Sequence, residues 1–274
     1  MADSDSEYEP EYEPEEVVVI DPDSSDTSDT SSSPPPLLLS VMTLVPPPLE
    51  YMSKLHDDHL EVSSRVVWAG SLLLVNNILR TPALLEQVAS SNKKVLELGA
   101  GTGIVGLSLA KKNACKLICF TDGDEEALML LKENASMNKV DISANAVSGV
   151  PPAYLWGDDD ERISALEEWS RNHWSDGWGV DDKFGFDSIL AGDVLYKEGL
   201  PELFFGSVNR LLTMNGVLML CHVPRAEVTH ERVEAAATAA NLDFEEVPPL
   251  SLPKTAKMED AVRAKIYRIT KIKK

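Results

Sequence analysis

The sequence has little cysteine, few basic residues and no long apolar segment. Its three cysteines, Cys115, Cys119 and Cys221, are too few for a disulfide scaffold, and none has a neighbour at zinc-ligand spacing. Lys and Arg number 25 against 45 Asp and Glu, which argues against nucleic-acid and anionic membrane partners, because phosphates need a cationic face. No apolar run approaches the roughly 20 residues that span a bilayer, and the acidic N-terminus is unlike a basic leader. We therefore expect a protein that is cytoplasmic, nuclear or both.

Acidic residues are concentrated at the N-terminus. Residues 1–30 hold six Asp and six Glu and no Lys or Arg, and the chain up to residue 36 is otherwise rich in Ser, Thr and Pro. Such a composition buries too little apolar area to offset the entropy of ordering. We predict a disordered acidic tail over residues 1–40, followed by lead-in segments over residues 41–92. Residues 17–20 are the one apolar segment before residue 36.

From residue 93 onward, apolar strands alternate with amphipathic helices, which predicts a parallel α/β sheet. We place strands at residues 94–98, 116–121, 186–191 and 216–221, and helices at 103–112, 125–138, 199–212 and 227–240. The last segments, 244–247 and 264–272, fit a closing antiparallel hairpin. Residues 157–184 contain three tryptophans and are too long for a plain connection, so we predict an insertion with a helix and a loop.

A glycine-rich turn follows the first predicted strand, where open α/β sheets bind ligands. Gly101, Gly103 and Gly106 match the GxGxxG spacing, and Asp122 follows the second strand, so this region by itself is compatible with NAD. Glu97 lies two residues before Gly99 and favours S-adenosylmethionine, because its carboxylate suits a cationic ligand and would repel a pyrophosphate.

Four motifs occur in order along the chain: Glu97-Leu98-Gly99-Ala100-Gly101-Thr102-Gly103, Thr121-Asp122, Trp156-Gly157 and Asp193-Val194-Leu195-Tyr196. Together they resemble the seven-strand S-adenosylmethionine-dependent methyltransferases of the lysine methyltransferase family 16 type, over the chain from about residue 66. The stretch from Thr121 to Asp124 is also similar to the calmodulin-lysine methyltransferase branch. The resemblance implies a seven-strand Rossmann-like sheet flanked by helices and closed by the antiparallel hairpin.

The resemblance also implies the site residues. The cofactor set would be Trp68, Glu97, Gly99, Gly101, Gly103, Asp122, Trp156 and Gly192. Asp122 would bind both ribose hydroxyls, with Asp124 as the competing carboxylate or helix cap. Trp156 would lie on the adenine and Asp158 would accept from its amino group.

Asp193 and Tyr196 are the expected catalytic pair. A lysine ammonium, whose ordinary pKa is about 10.4, must lose a proton before it can attack a methyl group. Asp193 would hold and aim the amine, and Tyr196 would shape the pocket and offer a hydroxyl. No metal is expected, because the leaving group is a neutral thioether. Arg225 matches a family position but is equally compatible with a surface arginine, and His222 is interpreted as a strand-end residue.

We therefore expect an S-adenosylmethionine-dependent protein methyltransferase that N-methylates a lysine in a basic segment of a protein substrate and is a monomer. A small-molecule N-methyltransferase, with the Trp-rich insertion as a lid, is the first alternative. A non-catalytic, cofactor-binding interaction module is the second, and an NAD enzyme is the third.

Overall fold

The computed structural model describes residues 10–20, 36–45, 63–90, 92–115, 117–142, 151, 153–157, 160–173, 184–250 and 260–272. Within these ranges the strands are β1 (Tyr12–Ile20), β2 (Leu37–Leu44), β3 (Lys94–Leu98), β4 (Leu117–Thr121), β5 (Phe186–Gly192), β6 (Leu212–His222), β7 (Leu242–Val247) and β8 (Lys265–Lys271). The α-helices are α1 (Ala69–Arg80), α2 (Pro82–Val88), α3 (Ile104–Lys111), α4 (Glu125–Met137), α5 (Asp160–His173), α6 (Leu200–Leu211) and α7 (His230–Ala239). None of the described helices is both long and apolar enough to cross a membrane.

Six strands of the described chain form the central sheet, in the order β4-β3-β5-β6-β8-β7. Strands β4, β3, β5 and β6 are parallel, as the alternation of strands and helices predicted. Strand β8 pairs antiparallel with both β6 and β7, which confirms the closing antiparallel pair at the C-terminus. The expected count was seven strands, and the described residues contribute six to this sheet.

The two faces of the sheet build two separate apolar cores. Neighbouring residues of β3 divide between them, because side chains alternate along a strand: Val95 lies in one core and Leu96 in the other. Helices α1 to α4 cover the first face and α5 to α7 cover the second. Burial on both faces explains why the central strands are almost continuously apolar in sequence. The predicted insertion does contain a helix, α5, which packs on the second face through Ile163 and Leu166.

The N-terminal region differs from the predicted disordered tail. Strands β1 and β2 form a two-stranded antiparallel sheet in which Tyr12 pairs with Leu44 and Val17 with Leu39. The apolar end of β1 is buried in the first core together with alternate residues of β2. Ordering is favourable here because two apolar segments far apart in sequence share one core. The rest of the predicted tail lies outside the described residues.

Candidate active site

A cavity of about 580 Å³ opens at the carboxyl edge of β3, β4 and β5. This volume is typical of sites for small organic ligands, and the position is where parallel sheets bind them. Of the ten predicted site residues, eight line the cavity: Trp68, Gly99, Gly101, Asp122, Trp156, Gly192, Asp193 and Tyr196. The turn between β3 and α3 and the chain that follows β5 both line this cavity and lie against each other, since a Cβ on Gly99 would stand 2.9 Å from Val194 Cγ1. We call the lining at Gly99, Gly101 and Asp122 the first end of the cavity and the lining at Asp193 and Tyr196 the second end.

The turn after β3 depends on two glycines with left-handed backbone. Gly99 has φ +70° and Gly101 has φ +51°, a region that L-residues with a side chain rarely adopt. A Cβ on Gly101 would stand 2.7 Å from the carbonyl oxygen of Ser64, in the turn that precedes α1. Glycine therefore lets the backbone of this loop form the cavity wall in close contact with a distant segment.

Asp122, at the end of β4, has a buried carboxylate bound to backbone amides. Its Oδ2 accepts from the amide of Gly101 at 2.8 Å and its Oδ1 from the amide of Asp124 at 3.0 Å. Burial raises the pKa of Asp122, and these amide hydrogen bonds offset part of that rise. Each oxygen keeps a second lone pair, so the carboxylate can still accept two hydrogen bonds from a diol in the cavity.

Asp124 acts as a helix cap and an ion-pair partner. Its side chain accepts from the amide of Glu126 at the start of α4, and from Ser64 Oγ at 2.7 Å. Arg65 Nε lies 2.9 Å from the same carboxylate. Burial raises the pKa of Asp124, but the hydrogen bonds from Arg65 and Ser64 outweigh it and lower the pKa overall. Asp124 therefore fastens the turn containing Ser64 to the cavity edge, and Asp122 is left as the carboxylate held by the glycine loop.

Two predicted cofactor residues do not line the cavity. Glu97 is 2% exposed and accepts from the amide of Gly106 at 2.9 Å, in the first turn of α3. Burial raises the pKa of Glu97 to about 8, so it is mainly protonated at neutral pH. It supports the loop through this hydrogen bond to the start of α3, and its interaction with a cationic ligand stays a prediction. Gly103, with φ +83°, is the N-cap of α3, where a Cβ would meet Leu107 and Leu131.

Two tryptophans flank the cavity. Trp156 packs edge-to-face on Phe204, with ring centroids 5.1 Å apart. Trp68 donates its indole N–H to the carbonyl of Ser63 at 2.6 Å, just before α1. Both rings are half-buried and present part of their surface to the cavity. Asp158, expected beside the adenine, lies outside the described residues.

Asp193 follows β5 in an unusual backbone conformation, with φ +58°. Such strain in a residue with a side chain is typical of functional sites. A Cβ on Gly70 would approach Asp193 Cβ to 2.6 Å, so a glycine in α1 makes room for this carboxylate. Gly192 is packed against Ser71, whose hydroxyl donates to the Gly192 carbonyl at 3.0 Å. Tyr196 lies one turn further along and is half-buried.

Arg225, which the sequence left undecided, does not line the cavity but contacts Asp193, which does. Its Nη2 lies 3.2 Å from Asp193 Oδ2, and its Nη1 donates to the carbonyl of Val223 at 2.8 Å. The guanidinium also lies over the Trp68 ring, 5.8 Å from the centroid. His222 is buried in the sheet, and burial together with His230 lowers its pKa to about 4, which agrees with its expected strand-end role.

Asn134, in the last turn of α4, and Asn138, its C-cap residue, hold β2 against the domain. Asn138 exchanges two hydrogen bonds with the backbone of Ser40, at 3.1 and 2.6 Å. Asn134 accepts from the amide of Met42 at 2.6 Å and donates to the carbonyl of Thr102 at 2.9 Å. One buried amide therefore connects the N-terminal sheet to the glycine loop, and no local sequence signal marks that partner.

Comparison with known proteins assigns a family to this arrangement. Residues 50–236 match the family described as lysine methyltransferase. The chain is 32% identical to protein-lysine N-methyltransferase EFM2 of Saccharomyces cerevisiae, over 51% of this chain and 30% of the relative. It is 30% identical to EEF1A lysine methyltransferase 3 of Mus musculus, over 52% of this chain and 50% of the relative. The chain therefore spans half or less of the length of these two relatives.

Two further comparisons bear on acceptor and fold. A putative protein N5-glutamine methyltransferase of Methanocaldococcus jannaschii is 32% identical, over 57% of this chain and 76% of the relative. A crystal structure of a putative methyltransferase complexed with SAH superposes with a TM-score of 0.51, at 11% identity, over 84% of this chain and 53% of that one. The structural likeness supports the fold.

Proposed function

Because the chain belongs to the lysine methyltransferase family, we propose that it is a protein methyltransferase that N-methylates a lysine side chain of a protein substrate. Membership of this family brings S-adenosyl-L-methionine as the cofactor. The observation that carries the proposal is a single cavity that joins the glycine loop and Asp122 at one end to Asp193 and Tyr196 at the other. An acceptor and a donor of a methyl group must share one such space.

The residues of the first end fit the cofactor. The loop through Gly99 and Gly101 brings bare backbone to the cavity wall, and Asp122 keeps the lone pairs that a ribose diol requires. Trp68 and Trp156 would flank the ligand with their rings, and Gly192, which lines the cavity, lets α1 pack closely on the end of β5 through Ser71. Glu97 and Gly103 would act indirectly, by holding the loop and the start of α3.

The second end fits an amine. When bound, S-adenosylmethionine supplies a methyl group on a positively charged sulfur, for in-line transfer to a nitrogen lone pair. The Asp193 carboxylate can accept an N–H hydrogen bond from the incoming lysine, and the Tyr196 ring limits where the amine can lie. Catalysis would then come mainly from positioning, with the lysine proton lost to solvent before transfer.

The mouth of the cavity favours a protein over a small molecule. Leu155 and Leu203 line it and are 54% and 48% exposed, which leaves apolar surface at the rim for a protein partner. The formal net charge of -20 supports a basic segment around the target lysine. We propose that the enzyme acts as a monomer in the cytoplasm, the nucleus or both.

The test is incubation with methyl-labelled S-adenosylmethionine and a cell extract, counting label in protein and in small molecules separately. We expect a discrete labelled protein band that Asp193→Asn reduces by about 100-fold, because a neutral amide is a weaker acceptor for the amine N–H than a carboxylate and loses the ion pair with Arg225. Asp243→Asn, an exposed aspartate on β7, is the matched control and should label normally.

Mass spectrometry of the band then identifies the acceptor. A methylated lysine supports the proposal, whereas a methylated glutamine would place the chain with its archaeal relative. Label confined to small molecules would refute a protein substrate. A full signal from Asp193→Asn would refute the assigned role of the carboxylate.

A further inference from the structure

The contact between Arg225 and Asp193 places a cation beside the carboxylate that would hold the target lysine. The Asp193 side chain is 2% exposed and lines the cavity, and Arg225, 28% exposed, contacts it from outside that lining. Asp193 Oδ1 also accepts from the amide of Val223 at 3.4 Å. The carboxylate is therefore partly neutralised before any substrate arrives.

The guanidinium is held in place from three directions. It pairs with Asp193, donates to the Val223 carbonyl and stacks over Trp68, at the distances given above. These contacts come from the chain after β5, the chain after β6 and the residue before α1. Arg225 thus keeps a fixed positive charge beside the end of the cavity where the amine would bind.

A lone carboxylate in that place would oppose the reaction. An aspartate beside a lysine stabilises the ammonium and raises its pKa, whereas only the neutral amine has the lone pair that attacks. A cation fixed within roughly 4 to 6 Å of the amine has the opposite effect, since it disfavours a second positive charge.

Resting on the function proposed above, we propose that Arg225 is a positioning residue that favours the neutral, reactive form of the target lysine by offsetting the charge of Asp193. Asp193 then still accepts a hydrogen bond from the amine without holding it as an ammonium. Arg225 also keeps the carboxylate in one orientation.

Other titratable groups lie around this end of the cavity or on the elements packed against it. They are Tyr196, Lys197, Cys221, His222, Asp122, Asp124, Arg162 and His230. Burial raises the pKa of the Cys221 thiol well above its usual value and lowers that of His222, so both are neutral near pH 7. The two aspartates belong to the glycine-loop end, where Asp122 is bound to backbone amides and Asp124 to Arg65.

The experiment compares pH profiles of four proteins: wild type, Arg225→Gln, Arg225→Lys and Arg268→Gln. Single-turnover rates of label transfer into the extract band are measured between pH 6.5 and about 10.5 with enzyme and cofactor in saturating excess, so that the midpoint reports the lysine in the enzyme-substrate complex. Arg268 on β8, paired with Glu245 of β7, controls for the loss of one arginine charge. Circular dichroism and thermal unfolding confirm that each variant is folded.

We expect the alkaline midpoint of Arg225→Gln to move upward by about 1 to 2 pH units, from a unit charge 4 to 6 Å away in a partly screened site. The rate at pH 7 should then fall by about 10- to 100-fold and recover towards the wild-type rate above pH 10. Arg225→Lys should keep a midpoint near that of wild type, because the cation remains, and Arg268→Gln should match wild type.

The competing outcomes separate the two proposals. A folded Arg225→Gln that loses the same factor at every pH, with an unchanged midpoint, would overturn the charge-offset role and leave the methyltransferase proposal intact. An Arg225→Lys profile displaced as far as that of Arg225→Gln would also overturn it. Absence of a labelled protein band from wild type would instead refute the proposed function, and this inference with it.

Discussion

Replacing Asn134 by Ala tests whether the N-terminal sheet is an integral part of the domain. Asn134 is fully buried on α4, and its side-chain amide has three backbone contacts. It accepts from the amide of Met42 and donates to the carbonyl of Thr102, with a weaker contact of 3.5 Å to the carbonyl of Met42. Truncation to Ala would leave the buried Thr102 carbonyl without this donor and would remove the hydrogen bond that holds Met42 of β2.

The expected loss of unfolding free energy follows from these contacts. An unsatisfied buried polar group costs about 1–3 kcal/mol, and two strong hydrogen bonds are removed. Ala is the better helix former and returns up to about 0.7 kcal/mol. Because Met42 is only partly buried, its amide recovers some solvation, and we expect a net loss of about 2 to 4 kcal/mol.

The assay is urea unfolding of the full chain followed by circular dichroism, beside a cofactor titration by calorimetry. Asn134→Asp keeps an acceptor for Met42 but turns a carboxylate towards the Thr102 carbonyl, so it should lose at least as much stability. Cofactor affinity should fall in both variants, since Thr102 lines the cavity. Asn209→Ala on α6 is the control for the same exchange on a helix. A loss below about 0.5 kcal/mol for Asn134→Ala, within the range of ordinary surface substitutions, would refute the reasoning.

Three other predictions concern the glycine loop. Gly101→Ala should weaken cofactor binding at least tenfold in calorimetry, because its Cβ would collide with the Ser64 carbonyl. The control is Gly199→Ala, which has a similar positive φ but nothing within 4 Å and should bind the cofactor normally. Equal affinities of the two variants would contradict the close approach of Gly101 to Ser64. Asp122→Asn should likewise weaken cofactor binding, by about 10- to 100-fold, since one acceptor oxygen is lost, and an unchanged dissociation constant would remove Asp122 from the site. The pKa of Glu97 is raised from 4.5 to about 8, so the folded state holds a proton that the unfolded state releases, and stability falls as pH rises between those values. The unfolding free energy of Glu97→Gln relative to wild type should therefore increase by about 1.4 kcal/mol per pH unit between pH 5 and 8, and a difference that does not change with pH in urea titrations would show that Glu97 is already ionised.

Local patterns were sufficient for the central sheet and much of the site. The strands around Val95 and Ile189 are predictable because burial on both faces requires continuous apolar runs. The glycine loop is predictable because its backbone cannot accept a Cβ. Asp122 and Asp193 follow apolar strands directly, so strand ends alone bring them to one edge of a parallel sheet.

The structure corrected the prediction that depended on composition and changed the charge expected of one site residue. Glu97 has the right position in sequence, but burial leaves it mainly protonated and directed at Gly106. Strand β1 and the residues before β2 belong to a segment rich in acids, serine and proline, and composition there predicts disorder. Their apolar ends are ordered by a core that other parts of the chain supply, with Val17 and Leu39 buried side by side.

The sequence by itself determined where the core strands lie along the chain, the glycine loop and the motif residues, since each follows from the chemistry of a few consecutive residues. Only the tertiary structure decided which distant groups meet. Asn138 binds a strand 98 residues before it, and Arg225 pairs with an aspartate 32 residues before it. Such contacts depend on how helices and strands pack in three dimensions, and hydrophobic periodicity along the chain does not predict them.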